Sequence, residues 1–361
     1  MSIKSNKLIV ILGPTSSGKS DLAVRIAREF NGEIISADSR QVYKGMDIGS
    51  GKITKKEMQN IPHHLLDVAS PKKRFTVAQF QKLAFKAIEK IQRKNKIPVL
   101  CGGTGLYIQS IVDGLVFPEV PPDAKLRAKL EKLKTEKLFI KLQKLDPRRA
   151  KNIDCRNRRR LIRALEIIIK TGKPVSSVTS TPYSVIPALC PSKAFSDGGE
   201  AGIQNIGKNK RVHLDPRFHG DNTKINFLQL GIGQPKEKLK KLIKKRLLKR
   251  LKQGMVAEVM RLRKQGVSWK RLEEFGLEYR AVAQYLQKKT LRPALRQMLR
   301  QGEQAQGKLF RQEMINKIQK ESEQYAKRQM TWFKRDKRIR WVKNYKKAIK
   351  LVKIFTNKKR Q

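Results

Sequence analysis

The sequence predicts an α/β fold: a parallel-sheet core around a phosphate-binding loop, with a helical insertion and a helical C-terminal region. Three observations predict it. The apolar run Leu8-Ile9-Val10-Ile11-Leu12 leads into Gly13-Pro14-Thr15-Ser16-Ser17-Gly18-Lys19-Ser20, and a helical pattern carrying Ala23, Ile26, Ala27 and Phe30 follows. Further short apolar runs alternate with helix-length segments, as a parallel sheet requires. Between them, the chain changes character at Pro118-Glu119-Val120-Pro121-Pro122 and becomes charged and helical.

The loop fits G-x-x-x-x-G-K-[ST] in a strand–loop–helix context. Its glycines let backbone N–H groups curl around phosphate oxygens, and the helix N-terminus adds partial positive charge. Gly13, Pro14, Thr15, Ser16, Ser17, Gly18, Lys19 and Ser20 are therefore the candidate diphosphate- or nucleotide-binding (ATP-type) residues. Lys19 is expected to hold the outer phosphate and Ser20 to ligate Mg²⁺. The motif specifies a polyphosphate without specifying which one.

Charge narrows the partner. The 361 residues hold Lys+Arg 83 against Asp+Glu 30, a net charge of +53, which attracts polyanions; nucleic acid is favoured over an anionic membrane surface. No run approaches the length of a membrane span and the N-terminal apolar run is too short for a signal peptide, so a cytoplasmic protein is expected. Cys101, Cys155 and Cys190 show neither CxxC nor His-paired spacing, which predicts plain thiols.

Residues 32–37 form a second short strand running into Asp38-Ser39-Arg40-Gln41, where parallel strands present ligand-binding groups. Asp38 is either such a group or a turn residue. The Gly-rich stretch 42–52 is expected to be a surface loop that touches ligand. His63 and His64 lack a third ligand at useful spacing and are expected to be structural. A helix over 77–93 leads into the strand 98–101, which ends in Cys101-Gly102-Gly103-Thr104 rather than in the Asp that a motor ATPase would carry. The paired glycines allow close backbone approach to a ligand.

The first part of the core spans 1–117 and the helical insertion 118–184. Residues 123–145 are helical, and a helix over 156–170 carries Arg156, Arg159, Arg160 and Arg163 on one face, with Leu161, Ala164, Leu165 and Ile168 opposite. Four arginines without interleaved acids suit a phosphate backbone. Residues 185–223, rich in Gly and Pro and without periodicity, resemble the translated product of a dispersed palindromic repeat, and 290–308 has the same look. Both are expected to be surface insertions without a catalytic part.

The second part of the core and the basic helical C-terminal region span 224–361. A strand over 226–231 precedes a helix over 236–252, in which Arg246 and Arg250 fall inside the apolar stripe. A buried arginine needs an anion, either a ligand pyrophosphate or an internal carboxylate. The closing stretch Gln324-Tyr325-Ala326-Lys327-Arg328-Gln329-Met330-Thr331-Trp332-Phe333 interleaves basic and aromatic residues. That suits a nucleic-acid surface, or a helix packing Trp332 and Phe333 into the core.

Taken together, GPTSSGKS, ISADSRQVYKGMDIGSGK, PVLCGGTGLY, RRRLIRALE with TGKP, GMVAEV, GLEYR and AKRQMTWFKRD resemble the bacterial tRNA dimethylallyltransferases, in one consistent order along nearly the whole chain apart from the two insertions. The resemblance implies a nucleotide-kinase-like core and a helical insertion that grips the anticodon stem-loop. The implied reaction moves a dimethylallyl group from dimethylallyl diphosphate to N6 of the adenosine 3′ of the anticodon, by a monomer using Mg²⁺. It further implies Asp38 as the base at N6, Thr104 beside the transferred group and the flipped base, and Arg246 as a brace on the diphosphate. Asp38, Ser39, Arg40, Gln41, Thr104, Arg159, Arg160, Leu161, Ile162 and Arg163 match segments that touch tRNA. The chain departs from the pattern at Arg156-Asn157, where the family commonly has Asn-Asp.

Two other classes fit parts of the sequence. A small-molecule or nucleoside kinase would use the same loop but leaves the arginine stripe unexplained. An inactive tRNA-binding relative would bind RNA without product. The insertion reading is tested by deleting 185–223, which should leave activity intact; a folded but inactive deletion variant contradicts it.

Overall fold

The structure, a computed structural model, describes residues 6–178, 225–290 and 303–357. It divides into two units, one of Met1–Val112 with Asp221–Gln361 and one of Asp113–Gly220. The first unit opens with β1 (Lys7–Leu12), α1 (Lys19–Glu29), β2 (Gly32–Ala37), α2 (Lys55–Met58), β3 (His63–His64), α3 (Val77–Arg93), β4 (Ile97–Gly102) and α4 (Gly105–Val112). The second holds α5 (Ala124–Glu131), α6 (Thr135–Leu145), α7 (Pro147–Lys151), α8 (Arg158–Thr171) and α9 (Val175–Val178). The first resumes with β5 (Asn226–Ile232), α10 (Lys236–Lys252), α11 (Met255–Lys264), α12 (Trp269–Glu274) and α13 (Leu277–Thr290). It closes with α14 (Glu303–Phe333), β6 (Arg340–Val342) and α15 (Tyr345–Asn357).

The sheet runs β3-β2-β4-β1-β5-β6, every pair parallel. β1 is apolar on both faces because both are covered. Leu8, Val10 and Leu12 join one core with Phe80 and Ile91, while Ile9 and Ile11 join another with Ile26 and Val352. Strand order, which no sequence period reveals, puts β4 between β2 and β1. The segment after β4 therefore lies between Asp38, after β2, and the phosphate loop, after β1.

α3 and α10 begin and end where the sequence pattern puts them, α3 with a Thr76–Gln79 capping box. α8 starts at Arg158 rather than 156, because the Asn157 side chain caps it by accepting from the Arg160 N–H at 3.3 Å. The stretch 123–145 is two helices, the first capped by Asp123. β3 and β6 are too short to leave an alternation signal. Residues 185–223 lie outside the described residues, as do 291–302 of the second expected insertion; 303–308 belong to α14. Cys101 is a free, buried thiol, but Cys155 is disulfide-bonded, which corrects the expectation of three plain thiols. Among the described residues no helix is long and apolar enough to cross a membrane.

The second unit packs Leu138, Leu142, Ile153, Leu161 and Leu165 into one core and also buries a carboxylate, Glu166. Glu166 accepts from Arg127 Nε at 2.8 Å and its second guanidinium nitrogen at 2.6 Å, from Arg163 at 2.6 Å and from the Asp123 N–H at 2.8 Å.

Glu33 makes the comparable anchor in the first unit. It is buried on β2 and bonded to His64 Nε2 at 2.7 Å, Lys96 at 3.0 Å and Lys94 at 3.1 Å, so His64 is structural. Burial alone would raise its pKa, but these hydrogen bonds outweigh it and hold the carboxyl at about 2. A depressed carboxyl pKa stabilises the fold above the unfolded-state value and loses that contribution as pH falls toward the folded one. The stability advantage of wild type over Glu33→Gln should therefore be full near neutrality and shrink as pH falls from the ordinary glutamate range to about 2. Urea midpoints measured across that window check it; a pH-independent difference contradicts it.

Candidate functional site

The phosphate loop forms as its glycine spacing requires. Ser16 and Gly18 take left-handed backbone at φ 60° and 89°, and Gly18 is the residue from which α1 starts. Lys19 curls back so that Nζ donates to the Pro14 carbonyl at 3.1 Å. The Ser17 hydroxyl, on a residue only 3% exposed, has no hydrogen-bond partner among the described residues. A buried hydroxyl without a partner inside a loop of this kind fits an absent phosphate oxygen. Ser20 lies exposed at the start of α1. Among the described residues no three His, Cys, Asp or Glu side chains cluster as metal ligands. A single hydroxyl suits Mg²⁺, which retains waters and shares phosphate oxygens with its substrate.

Arg246 reaches the loop from α10. It donates to Thr15 Oγ1 at 3.1 Å and to the Gly51 carbonyl at 3.3 Å. Of the two anions the sequence left open for the stripe arginines, Arg250 takes the internal carboxylate, bonding Glu278 at 3.0 Å and the Gly49 carbonyl at 3.2 Å. Arg246 takes none: neither it nor Lys19 has a carboxylate within ion-pair distance among the described residues. Burial, with Arg250 adding repulsion, lowers the Arg246 pKa to about 10. Lys19 is lowered chiefly by burial too, and repulsion from Arg246 adds to it. Two half-buried cations thus face one phosphate loop with no carboxylate at ion-pair distance among the described residues.

Asp38 sits at the end of β2. Its Oδ1 accepts from the Arg40 N–H at 2.9 Å and the Gln41 N–H at 3.4 Å, so it is a turn residue, and Oδ2 keeps no partner among the described residues. Thr104 joins the same cluster from β4: its Oγ1 accepts the Ser39 N–H at 3.0 Å, and its N–H bonds the Ala37 carbonyl at 3.2 Å. Ser39, Arg40 and Gln41 are half-buried and engaged internally, Arg40 with Glu278 at 3.1 Å and Gln41 with the Gly51 carbonyl at 3.2 Å.

Several expectations change in three dimensions. The stretch 42–52 is not a free ligand loop. Glu258 accepts the Asp47, Ile48 and Gly49 N–H groups at 2.9, 2.7 and 3.0 Å and the Tyr279 hydroxyl at 2.8 Å, while Val42 and Met46 are fully buried. Gly103 and Gly105 make room for α14: a Cβ at the first would strike the Gln329 amide and at the second the Trp332 ring. Phe333 is buried beside them, so the C-terminal stretch is a packed helix with Lys327, Arg328, Lys334 and Arg335 exposed on its outside.

In the second unit, Arg156 and Arg159 are exposed and Arg160 half-exposed, but Arg163 is drawn onto Glu166 and the Val120 carbonyl. Glu166 lies in the same helix, so the stripe is not free of acids. Leu161 and Ile162, 0% and 6% exposed, belong to that unit's core, and their side chains cannot face RNA. Sequence reasoning missed roles for Glu258, Glu278, Tyr279, Tyr325 and Gln329. The signal was their place inside or beside GMVAEV, GLEYR and AKRQMTWF, Tyr325 standing just before the last, motifs otherwise poor in reasons to exist.

Residues 41–336 match the model of the family described as IPP transferase. The tRNA dimethylallyltransferase of Carboxydothermus hydrogenoformans is 36% identical, over 98% of this chain and 97% of that one. The tRNA isopentenylpyrophosphate transferase of Bacillus halodurans, a crystal structure, superposes with a TM-score of 0.60 at 29% identity, covering 98% of this chain and 96% of its own. A eukaryotic dimethylallyltransferase acting on tRNA superposes at 0.68 with 24% identity, over 98% and 80%, and attests the shared fold alone.

The uncompensated cations make an anion-dependent stability testable. Magnesium pyrophosphate should raise the melting temperature, by the equivalent of about 2.7 kcal/mol at a hundredfold excess over Kd. Lys19→Met and Arg246→Met should lose most of that rise. Each charge costs more in the folded protein than in the unfolded chain, so both variants should melt no lower than wild type without ligand. Differential scanning fluorimetry reads both effects, and an unchanged pyrophosphate response in the two variants contradicts the assignment.

Proposed function

The chain belongs to the IPP transferase family, and from that premise we propose that it moves a dimethylallyl group from dimethylallyl diphosphate to N6 of the adenosine just 3′ of a tRNA anticodon. It is an enzyme that transfers a dimethylallyl group to tRNA, forming isopentenyladenosine. Donor, acceptor atom and residue roles rest on one observation above all. Among the described residues Lys19 and Arg246 meet at the phosphate loop with no carboxylate at ion-pair distance, while Asp38, two strands away, keeps a carboxylate oxygen unengaged.

An allylic diphosphate needs its leaving charge stabilised, and an exocyclic adenine nitrogen needs its proton removed. The electron pair on N6 forms a bond to C1 of the dimethylallyl group while the C1–O bond breaks, and the pair from that bond leaves with the diphosphate. Lys19 and Arg246 hold the charge that develops on the leaving oxygens, where low dielectric strengthens them. Ser20 would hold Mg²⁺, whose chemistry there is to spread the same negative charge. Asp38 Oδ2 takes the N6 proton, and Thr104, carried on the intervening strand, lies between proton acceptor and leaving group. Because N6 is stacked in the anticodon loop, the base must be flipped to enter. The exposed Arg156 and Arg159 and half-exposed Arg160 are the tRNA backbone contacts we favour in the second unit.

Incubating the protein with unmodified tRNA, Mg²⁺ and labelled dimethylallyl diphosphate should place the label on the adenosine beside the anticodon. Labelled ATP should transfer nothing. Asp38→Ala should lower turnover by about a hundredfold or more while sparing tRNA affinity in a filter-binding assay. Normal turnover in that variant would remove Asp38 from the chemistry.

A further inference from the structure

The face of α14 at 325, 329 and 332, spaced i, i+4, i+7, is seated residue by residue on the turn after β4. The Tyr325 hydroxyl lies beside the Thr104 side chain, Gln329 Nε2 donates to the Gly103 carbonyl at 2.8 Å, and the Trp332 ring lies against Gly105. Gln329 does one thing more. Its Oε1 accepts the N–H of Thr15 at 2.9 Å, and Thr15 is a phosphate-loop residue whose hydroxyl holds Arg246 at 3.1 Å.

We propose that Gln329 is a positioning residue, whose amide ties the diphosphate-binding loop to the Gly103–Thr104 turn and so fixes the distance between the leaving group and the acceptor base. This rests on the transferase reading above. The amide is suited to the task. It is 6% exposed, it presents a donor end and an acceptor end in one fixed plane, and each end finds a backbone partner. Those partners lie on opposite halves of the site. On one side, Thr15 leads to Arg246 and the leaving oxygens. On the other, Gly103 leads to Thr104, which holds the Ser39 N–H beside Asp38. Tyr325 steadies the same turn, with the Arg40 guanidinium 5.6 Å over its ring and Arg40 bound in turn to Glu278. The absence of a side chain at Gly103 is what lets the amide reach both partners. A buried residue that only filled space would need neither polar end.

Gln329→Met keeps the volume and removes both hydrogen bonds, whereas Gln329→Asn keeps the polarity but is one methylene too short to span the two partners. For either variant, kcat should fall by about tenfold to a hundredfold, the cost of a small misplacement of reacting groups. KM for dimethylallyl diphosphate should rise and KM for tRNA should stay within about twofold. A structural role would instead lower the folded fraction, reducing kcat with both KM values unchanged. That pattern, or wild-type kinetics, overturns the proposal. A double-mutant cycle with Thr104→Ala should be non-additive, and additive losses would also overturn it. If Gln329→Met does not fold, the same split is required of Gln329→Asn. Wild-type protein run alongside separates the two readings, since failure of wild type to label tRNA defeats the transferase reading. The pyrophosphate-induced melting shift of Gln329→Met then still reads the Thr15 contact: a smaller shift than wild type supports it, and an equal one overturns it.

Discussion

Positive charge that the protein declines to neutralise is the constraint around which the first unit is arranged. Lys19 and Arg246 are half-buried at the phosphate loop, and partial removal from water, with repulsion between neighbouring cations, depresses the pKa of each. Apart from Asp38, whose Oδ2 stays open for the acceptor, the acids of the surrounding network are committed elsewhere: Glu278 to Arg40 and Arg250, Glu258 to three backbone N–H groups and the Tyr279 hydroxyl. Were either carboxylate free to swing onto Arg246, the site would be satisfied without ligand. The network around the site therefore keeps acids occupied as much as it holds loops in place.

The same logic separates arginines that look alike in sequence. Arg246 and Arg250 share one face of α10, yet one is closed by Glu278 and the other is left for a ligand, because only Arg250 lies where α13 delivers its acid. In α8, Arg163 is drawn inward by Glu166 three residues on, while Arg159 stays exposed. Periodicity assigns a residue to a face; it does not say which neighbours another element brings to that face.

Much of the fold was legible. β1, β2, β4 and β5 announced themselves as apolar runs bounded by turn residues, and α3 and α10 as helix-length segments, α10 with a 3.6-residue apolar stripe. β3 and β6 were not, since two or three residues carry no period, and neither was the break between α5 and α6 inside an uninterrupted charged stretch. At the site, the phosphate loop was singled out by its motif, and Asp38, Thr104 and Arg246 with help from the family resemblance; the structure gathers them at one end of the sheet. The reading of 42–52 as a ligand loop failed because a glycine-rich, irregular stretch looks the same whether it faces solvent or is gripped by a buried glutamate.

By itself the sequence determined the local chemistry: which residues could cradle phosphate, which segments could be strands or helices, and that a polyanion is the partner. These are properties of near neighbours along the chain, set by backbone conformation, side-chain period and charge. Only the tertiary structure decided that β4 stands between β2 and β1, and hence that Thr104 lies between Asp38 and the phosphate loop. It alone brought Gln329 to Thr15, a contact 314 residues apart in the chain. Such pairings depend on strand order and on the docking of a distant helix, and one chain read in isolation leaves no local trace of either.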